Sequence, residues 1–167
     1  MLETKINGLD DLQKLLEQLP VDVERKILRG ALRAGQKVVL EQAKASIHNV
    51  SGELTDSLRI STRKGKNGKI SARVIAGNKT AFYAHMVEFG TAKHLIKPKN
   101  RKSMLVAGMM REVVNHPGAQ KKPFMRPAAD AAASEGSQAM AAFKDYMQRR
   151  ITKEMDKLPD ETDGVTR

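Results

Sequence analysis

Cysteine and tryptophan are absent from the 167 residues. Without a thiol, no disulfide staples the fold, no Cys-based zinc site forms and no Cys nucleophile is available. Aromatics are scarce, at four Phe and two Tyr. A core must therefore rest on Leu, Ile, Val, Ala and the nine Met, whose flexible side chains fill irregular gaps. No apolar run approaches the roughly 20 residues that a membrane span needs. Met1 to Asp11 is polar and mixed in charge, unlike a secretory signal. The expectation is a chain that stays in a cytoplasm-like compartment and engages no membrane.

Acidic residues are missing where basic ones concentrate. The chain carries 30 Lys and Arg against 19 Asp and Glu, a net of +11. Residues 59–79 hold seven of the cations and no acid, and residues 93–126 hold nine against Glu112 alone. Residues 1–58 and 127–167 are close to balance, at −1 and −2. Charge confined to two middle segments points to an anionic partner, either nucleic acid or an acidic protein surface. The plainer alternative is a pair of solvated loops that keep the chain soluble.

Leu9, Leu12, Leu15, Leu16 and Leu19 fall at helical spacing and predict a helix over 9–19, closed by Pro20. Val23, Ile27, Ala31, Ala34 and Val38 predict a second helix over 21–47. Gly30 and Gly35 inside it each cost about 1 kcal/mol against Ala, and mark either close approach of another backbone or a kink. Ser51-Gly52 is a turn signal. Alternation at Leu58, Ile60 and Thr62, and again at Ile70, Ala72, Val74 and Ala76, predicts strands over 57–63 and 69–76. Lys64-Gly-Lys-Asn-Gly68 between them contains the Asn-Gly hairpin signal, so the first basic segment reads as a hairpin with a cationic tip. Residues 81–89 read as a helical turn running into a short strand. Residues 93–122 read as basic and irregular, with a strand at 104–107. The last helix starts near Pro127 and runs to about Leu158, with Phe143, Met147, Ile151 and Met155 as its stripe and Gly136 as a point of breakage. The sum is an α+β fold: N-terminal helices, an antiparallel β-sheet with a basic hairpin, and a long C-terminal helix. Residues 1–158 are expected to form a single domain, and 159–167 a flexible tail.

The four His and the carboxylates are the residues from which a catalytic pattern could be built. His85 and Glu88, three apart, can share one face of a helical turn, but a zinc site needs further ligands at definite spacing. His94 and His116 follow no pattern, and His48 sits at a helix end where a cation suits the dipole. Gly65-x-x-Gly68-Lys69-Ile70 lacks the spacing, the hydroxyl residue and the strand–helix context of a phosphate loop. No Gly-x-Ser-x-Gly elbow is present. Nothing supports catalysis, a cofactor or a metal. The basic segments contain few aromatics, only Phe124 in all, so nucleic acid would be met at its phosphates without base reading.

Three stretches together carry a likeness. They are Ile6-Asn-Gly-Leu9 with the helices that follow, Ser51-Gly-x-Leu54-x-x-Ser57-Leu58 before the hairpin, and a pair of motifs. The pair is Tyr83-Ala-x-x-Val87-Glu-Phe-Gly-Thr91 and His116-Pro-Gly118 with Pro123-Phe-Met-Arg-Pro-Ala128. Over about residues 5–150 the chain resembles the tail-completion, or head–tail joining, family of lambda-like siphophages, whose members are neck or minor tail components. The stretch between the two motif halves is longer than in compact members. The resemblance implies a non-enzymatic structural protein of the virion, assembled in the host cytoplasm. It would form a homo-oligomeric ring, hexameric on that pattern, at the head-proximal end of the tail. Tail-tube and head-connector proteins would be its partners, and DNA would pass through it. Glu88, Phe89, Gly90, Phe124, Arg126 and Pro127 are then the candidate assembly residues. Glu88 is expected to pair with Arg126, within a subunit or across the ring. Phe124 is expected to anchor the last helix by packing. Arg63, Lys64, Lys66, Lys69, Lys97, Lys99, Arg101 and Lys102 are candidates to face DNA or an acidic partner. The competing reading is a sequence-neutral nucleic-acid-binding protein that uses 59–79 and 93–126.

Overall fold

The computed structural model describes residues 9–17, 19–47, 52–66, 68–134 and 136–157. Its spine is a 25-residue helix, α2 (Val21–Ala45), preceded by α1 (Leu9–Glu17). Pro20 serves as the N-cap of α2, where its missing N–H is no loss. Ile27, Ala31, Gly35, Val39 and Ala43 recur every four residues along one face and are buried. Most of them are small, so another chain segment can come close. A Cβ on Gly35 would stand 3.0 Å from the Ala139 carbonyl oxygen of the last helix, and one on Gly30 would meet the Tyr146 ring. Close approach, rather than a kink, explains both glycines.

The hairpin forms as expected from alternation. Strands β1 (Arg59–Lys64) and β2 (Ile70–Ile75) pair antiparallel, from Arg59 opposite Ile75 to Lys64 opposite Ile70, and lie against α2. A short helix, α3 (Glu53–Ser57), precedes β1 where the strand was expected to begin. Its buried Ser57 hydroxyl donates to the Leu54 carbonyl (2.7 Å) and accepts from the Gly77 N–H (3.0 Å), so the two ends of the hairpin are tied together. The turn at Ser51, His48, Asn67 and the segment 159–167 lie outside the described residues.

Residues 84–89 form α4 and stay helical to Phe89, without the expected short strand. The last helix breaks at Gly136, the point the sequence marked, into α5 (Met125–Ala133) and α6 (Gln138–Met155). Ser137 caps α6, its hydroxyl accepting from the Met140 N–H (3.3 Å). The buried apolar side chains fall into two clusters along α2. Val39, Ala43, Leu54, Leu58, Ala84 and Phe124 belong to one, and Leu16, Leu19, Ile27, Met147 and Ile151 to the other. Among the described residues no helix is long and apolar enough to cross a membrane.

Candidate functional site: an acid-capped helix at the root of a basic arm

Asn78 sets the approach to α4. Its side-chain oxygen accepts from the N–H of Thr80 (2.9 Å), the hydroxyl of Thr80 (2.7 Å) and the N–H of Ala81 (2.7 Å), an Asx turn that delivers the chain into the helix. Near the end of α4, Glu88 is 9 % exposed. Its carboxylate accepts three backbone N–H bonds, from Phe124 (2.8 Å), Met125 (2.9 Å) and Arg126 (2.9 Å). Those are the leading donors of α5, which a helix cannot satisfy internally. The next residue, Pro127, has no N–H, so the first turn of α5 is left with no orphan donor. The negative charge also lies at the positive end of the helix. Burial pushes the Glu88 pKa up, but the three backbone bonds and the Arg126 charge outweigh it and hold the carboxyl below 4.5. One more bond, from the Lys122 N–H to the Val87 carbonyl (2.8 Å), fastens the segment before α5 to α4.

Between these fastened ends the chain leaves the body as an arm, from Thr91 to Ala119. Thr91 and Ala119 form a two-way bridge at its root, with N–H to carbonyl distances of 2.9 and 3.1 Å. Next comes β3 (His94–Ile96) paired with β6 (Val114–His116), and then, nested within, β4 (Met104–Val106) paired with β5 (Met109–Arg111). The stretch expected to be irregular thus holds two ribbons, and among the described residues the antiparallel β-structure of the expected α+β fold is three two-stranded sheets. Ala107 and Gly108, at φ 50° and 79°, make the two-residue turn at the inner end, with both residues left-handed as a type I′ hairpin requires. At the root, Gly90 and Gly118 cross the opposite strand closely. A Cβ on Gly90 would lie 2.6 Å from the Ala119 oxygen, and one on Gly118 would collide with the Thr91 oxygen. The rings of His94 and His116 stack across the β3–β6 ribbon, 5.0 Å apart.

The six candidate assembly residues all sit at this root but face different ways. Glu88 and Phe124 point inward, and Phe124 is 1 % exposed within the first apolar cluster. Gly90 is half-buried against the opposite strand, while Phe89 (78 % exposed), Arg126 and Pro127 face out. Within one chain, the expected side-chain pair of Glu88 with Arg126 is replaced. Glu88 takes the Arg126 backbone N–H, and the Arg126 guanidinium lies 3.4 Å from Asp130. The physical reason is competition, since three orphan N–H groups in a partly dry site hold a carboxylate better than one solvated guanidinium. An apolar hollow of about 610 Å³ opens here, with Phe89, Pro123, Met125 and Ala129 in its wall and His85 and Arg126 on its polar side. Among the described residues no three His, Asp or Glu stand close enough to hold a metal. The carboxylate beside His85 is already occupied by backbone donors.

The eight candidate cations fall in two groups. Arg63, Lys64, Lys66 and Lys69 crowd the tip of the β1–β2 hairpin, and Lys97, Lys99, Arg101 and Lys102 follow β3 on the arm. All eight are exposed, and none enters an ion pair with a described residue. Because a hairpin tip carries little packing, changing Lys64, Lys66 and Lys69 to Ala is expected to shift unfolding free energy by under about 0.5 kcal/mol per site. Denaturant titration checks this, and a collapse of the fold would refute the placement. Sequence reasoning missed the Asn78 turn, the Glu88 cap and three strands of the arm. The signal for the first was present, an Asn two residues before Thr80. A cap drawn from 36 residues away leaves no local signal.

Residues 10–90 match the model of a phage family described as "Bacteriophage HK97-gp10, putative tail-component". Over that stretch, just under half of the chain, the sequence is similar to this tail-component family. The stretch ends at Gly90, where the arm begins, and takes in Glu88 but not the helix it caps. Comparison with curated proteins gives no match, nor does comparison with solved structures.

Proposed function

We propose that this chain is a ring-forming neck protein of a tailed phage. It sits at the head-proximal end of the tail, completes the tail and helps join it to the head. Its work is assembly rather than bond-breaking chemistry. The observation that carries this reading is the match of residues 10–90 to a tail-component family. The arm supports it, since Leu95, Leu105 and Met110 are more than 60 % exposed, and a monomer gains nothing from holding them in water. Phe89, Arg126 and Pro127 at the arm root lie open to a neighbouring subunit or a tail-tube protein. Electron micrographs of particles grown without the chain test the proposal. Full heads beside unattached tails are expected, and virions that mature normally would end it.

The eight exposed cations favour a second reading, phosphate contact with passing DNA. Binding to duplex DNA that weakens steeply with salt, and more weakly still in the Lys64/Lys66/Lys69→Ala variant, is its expected mark. Absence of binding at low salt would remove it.

A further inference from the structure

Two histidine rings close the arm root, and their hydrogen bonds fix where each carries its proton. A backbone N–H can only donate, and a backbone carbonyl can only accept. The Gly118 N–H donates to His116 Nδ1 (3.1 Å), so that nitrogen keeps its lone pair and the ring proton is on Nε2. His94 Nδ1 lies 2.9 Å from the Ala92 carbonyl oxygen, so in this ring Nδ1 carries the proton. The rings stand opposite each other in the β3–β6 register, with centroids 5.0 Å apart and planes tilted by 31°. His116 is half-buried and His94 is exposed. A proton acts differently on the two bonds. His94 keeps its bond when charged, because Nδ1 stays a donor. His116 loses its bond, because a protonated Nδ1 has no lone pair and turns an N–H against the N–H of Gly118. That happens where the two strands cross most closely. A Cβ on Gly118 would collide with the Thr91 oxygen, and the next residue, Ala119, makes the two-way bridge to Thr91.

We infer that the His94–His116 pair is a proton-operated latch on the arm, shut while His116 is neutral and released when His116 Nδ1 takes a proton. The inference stands apart from the ring reading, since the latch needs no neighbouring copy. Histidine is the side chain whose charge changes between about pH 5 and pH 8. The Gly118 bond is therefore present at the upper end of that range and lost toward the lower end. A second proton, on His94, then sets two like charges 5.0 Å apart. The surroundings do not offset them. Lys93 and Lys121 stand on the segments that meet at the root, Lys97 follows β3, and Glu112 precedes β6. Behind the root, α4 contributes His85 and Glu88, and the Glu88 carboxylate is taken by the three N–H groups of α5. Among the described residues no carboxylate forms an ion pair with either ring. Residues 91–119 carry six Lys and Arg against Glu112, a net of +5. Metal ligation through His116 Nε2 would move the ring proton to Nδ1 and break the same bond, so the pair suits a proton and not a metal.

Amide exchange of the full-length protein, followed by NMR at about pH 7.5 and about pH 5.5, spans the histidine range and tests the latch. Glu88 stays ionised at both, since its carboxyl is held below 4.5. Protection of the Thr91 and Ala119 amides, taken relative to the free-chain rate at each pH, is expected to fall about fivefold or more in acid, the worth of one hydrogen bond. The β1–β2 amides are expected to keep theirs, and the Gly118 amide shift is expected to follow the titration of the His116 ring. His116→Asn supplies an acceptor that takes no proton in this range, since an Asn side chain readily accepts from the N–H two residues on. That variant is expected to hold its protection at both pH values. His94→Gln removes only the second charge and is expected to keep most of the fall. Equal protection of the wild type at both pH values, a fall of the same size in His116→Asn, or a Gly118 amide that ignores the His116 titration would each overturn the latch. A fall that vanishes in His94→Gln would overturn it too, because His116 would then not be the group that opens the root.

Discussion

Glu88→Ala is expected to cost about 3–5 kcal/mol of folding free energy, since it leaves three N–H groups at the start of α5 without an acceptor at about 1–3 kcal/mol each. At this chain length that lowers the melting temperature by about 2–4 °C per kcal/mol, a shift easily read by calorimetry. The loss depends on pH in a definite sense. A carboxyl whose pKa falls on folding contributes stability that is fully present above its unfolded value and is lost as pH drops through its folded value. Burial opposes that depression here, and the bonds from α5 together with Arg126 prevail. The gap between wild type and variant is therefore full at neutral pH and narrows below pH 4.5. Arg126→Ala is the control. Its guanidinium partner, Asp130, is solvent-exposed, and removing such a pair is expected to change stability by under about 1 kcal/mol. Equal losses in the two variants would show that the side-chain pair, and not the cap, is what matters.

Gly118→Ala is expected to cost about 3 kcal/mol or more. Part is the left-handed conformation at φ 90°, worth roughly 1–2 kcal/mol for a residue with a Cβ. The rest is crowding against backbone that cannot step aside: the Thr91 oxygen, then the Ala92 carbon at 2.9 Å and the Lys93 nitrogen at 3.1 Å. Gly108→Ala isolates the first contribution. That residue is also left-handed, at φ 79°, but has nothing within 4 Å of the added methyl. The difference between the two losses, measured by denaturant unfolding, reports how tightly the arm root is closed. Equal losses would mean the root is slack.

Much of this fold was legible because its signals are local. Leucine and alanine at helical spacing placed α1 and α2 to within a few residues, and strict alternation with Asn-Gly placed the hairpin. The arm was harder. Its strands are three residues long, too short for alternation to stand out, and its inner turn is Ala107-Gly108 rather than a dipeptide that announces a hairpin. The break in the last helix was legible at Gly136, which takes a left-handed φ of 73° that parts α5 from α6. At the candidate site, the two motif halves were visible as sequence but not as neighbours. The structure joins them through Thr91 with Ala119, Val87 with Lys122, and Glu88 with Phe124. Everything between those contacts leaves the body, so its length is free to differ without disturbing either half. Long-range contact is what a single sequence conceals, and here it put a helix cap where an ion pair within the chain was one expectation.

The two apolar clusters share α2 and α6 but are completed by different elements, α3, α4 and α5 at one end and α1 at the other. A long helix anchored in two separate cores behaves as a lever with two fulcra. Val39 and Ala43 anchor one end of the helix, and Ile27 and Ala31 the other. Amide exchange should divide along the same line, with one half of the molecule opening while the other stays shut. A chain built this way can yield at one joint and keep its grip at the next.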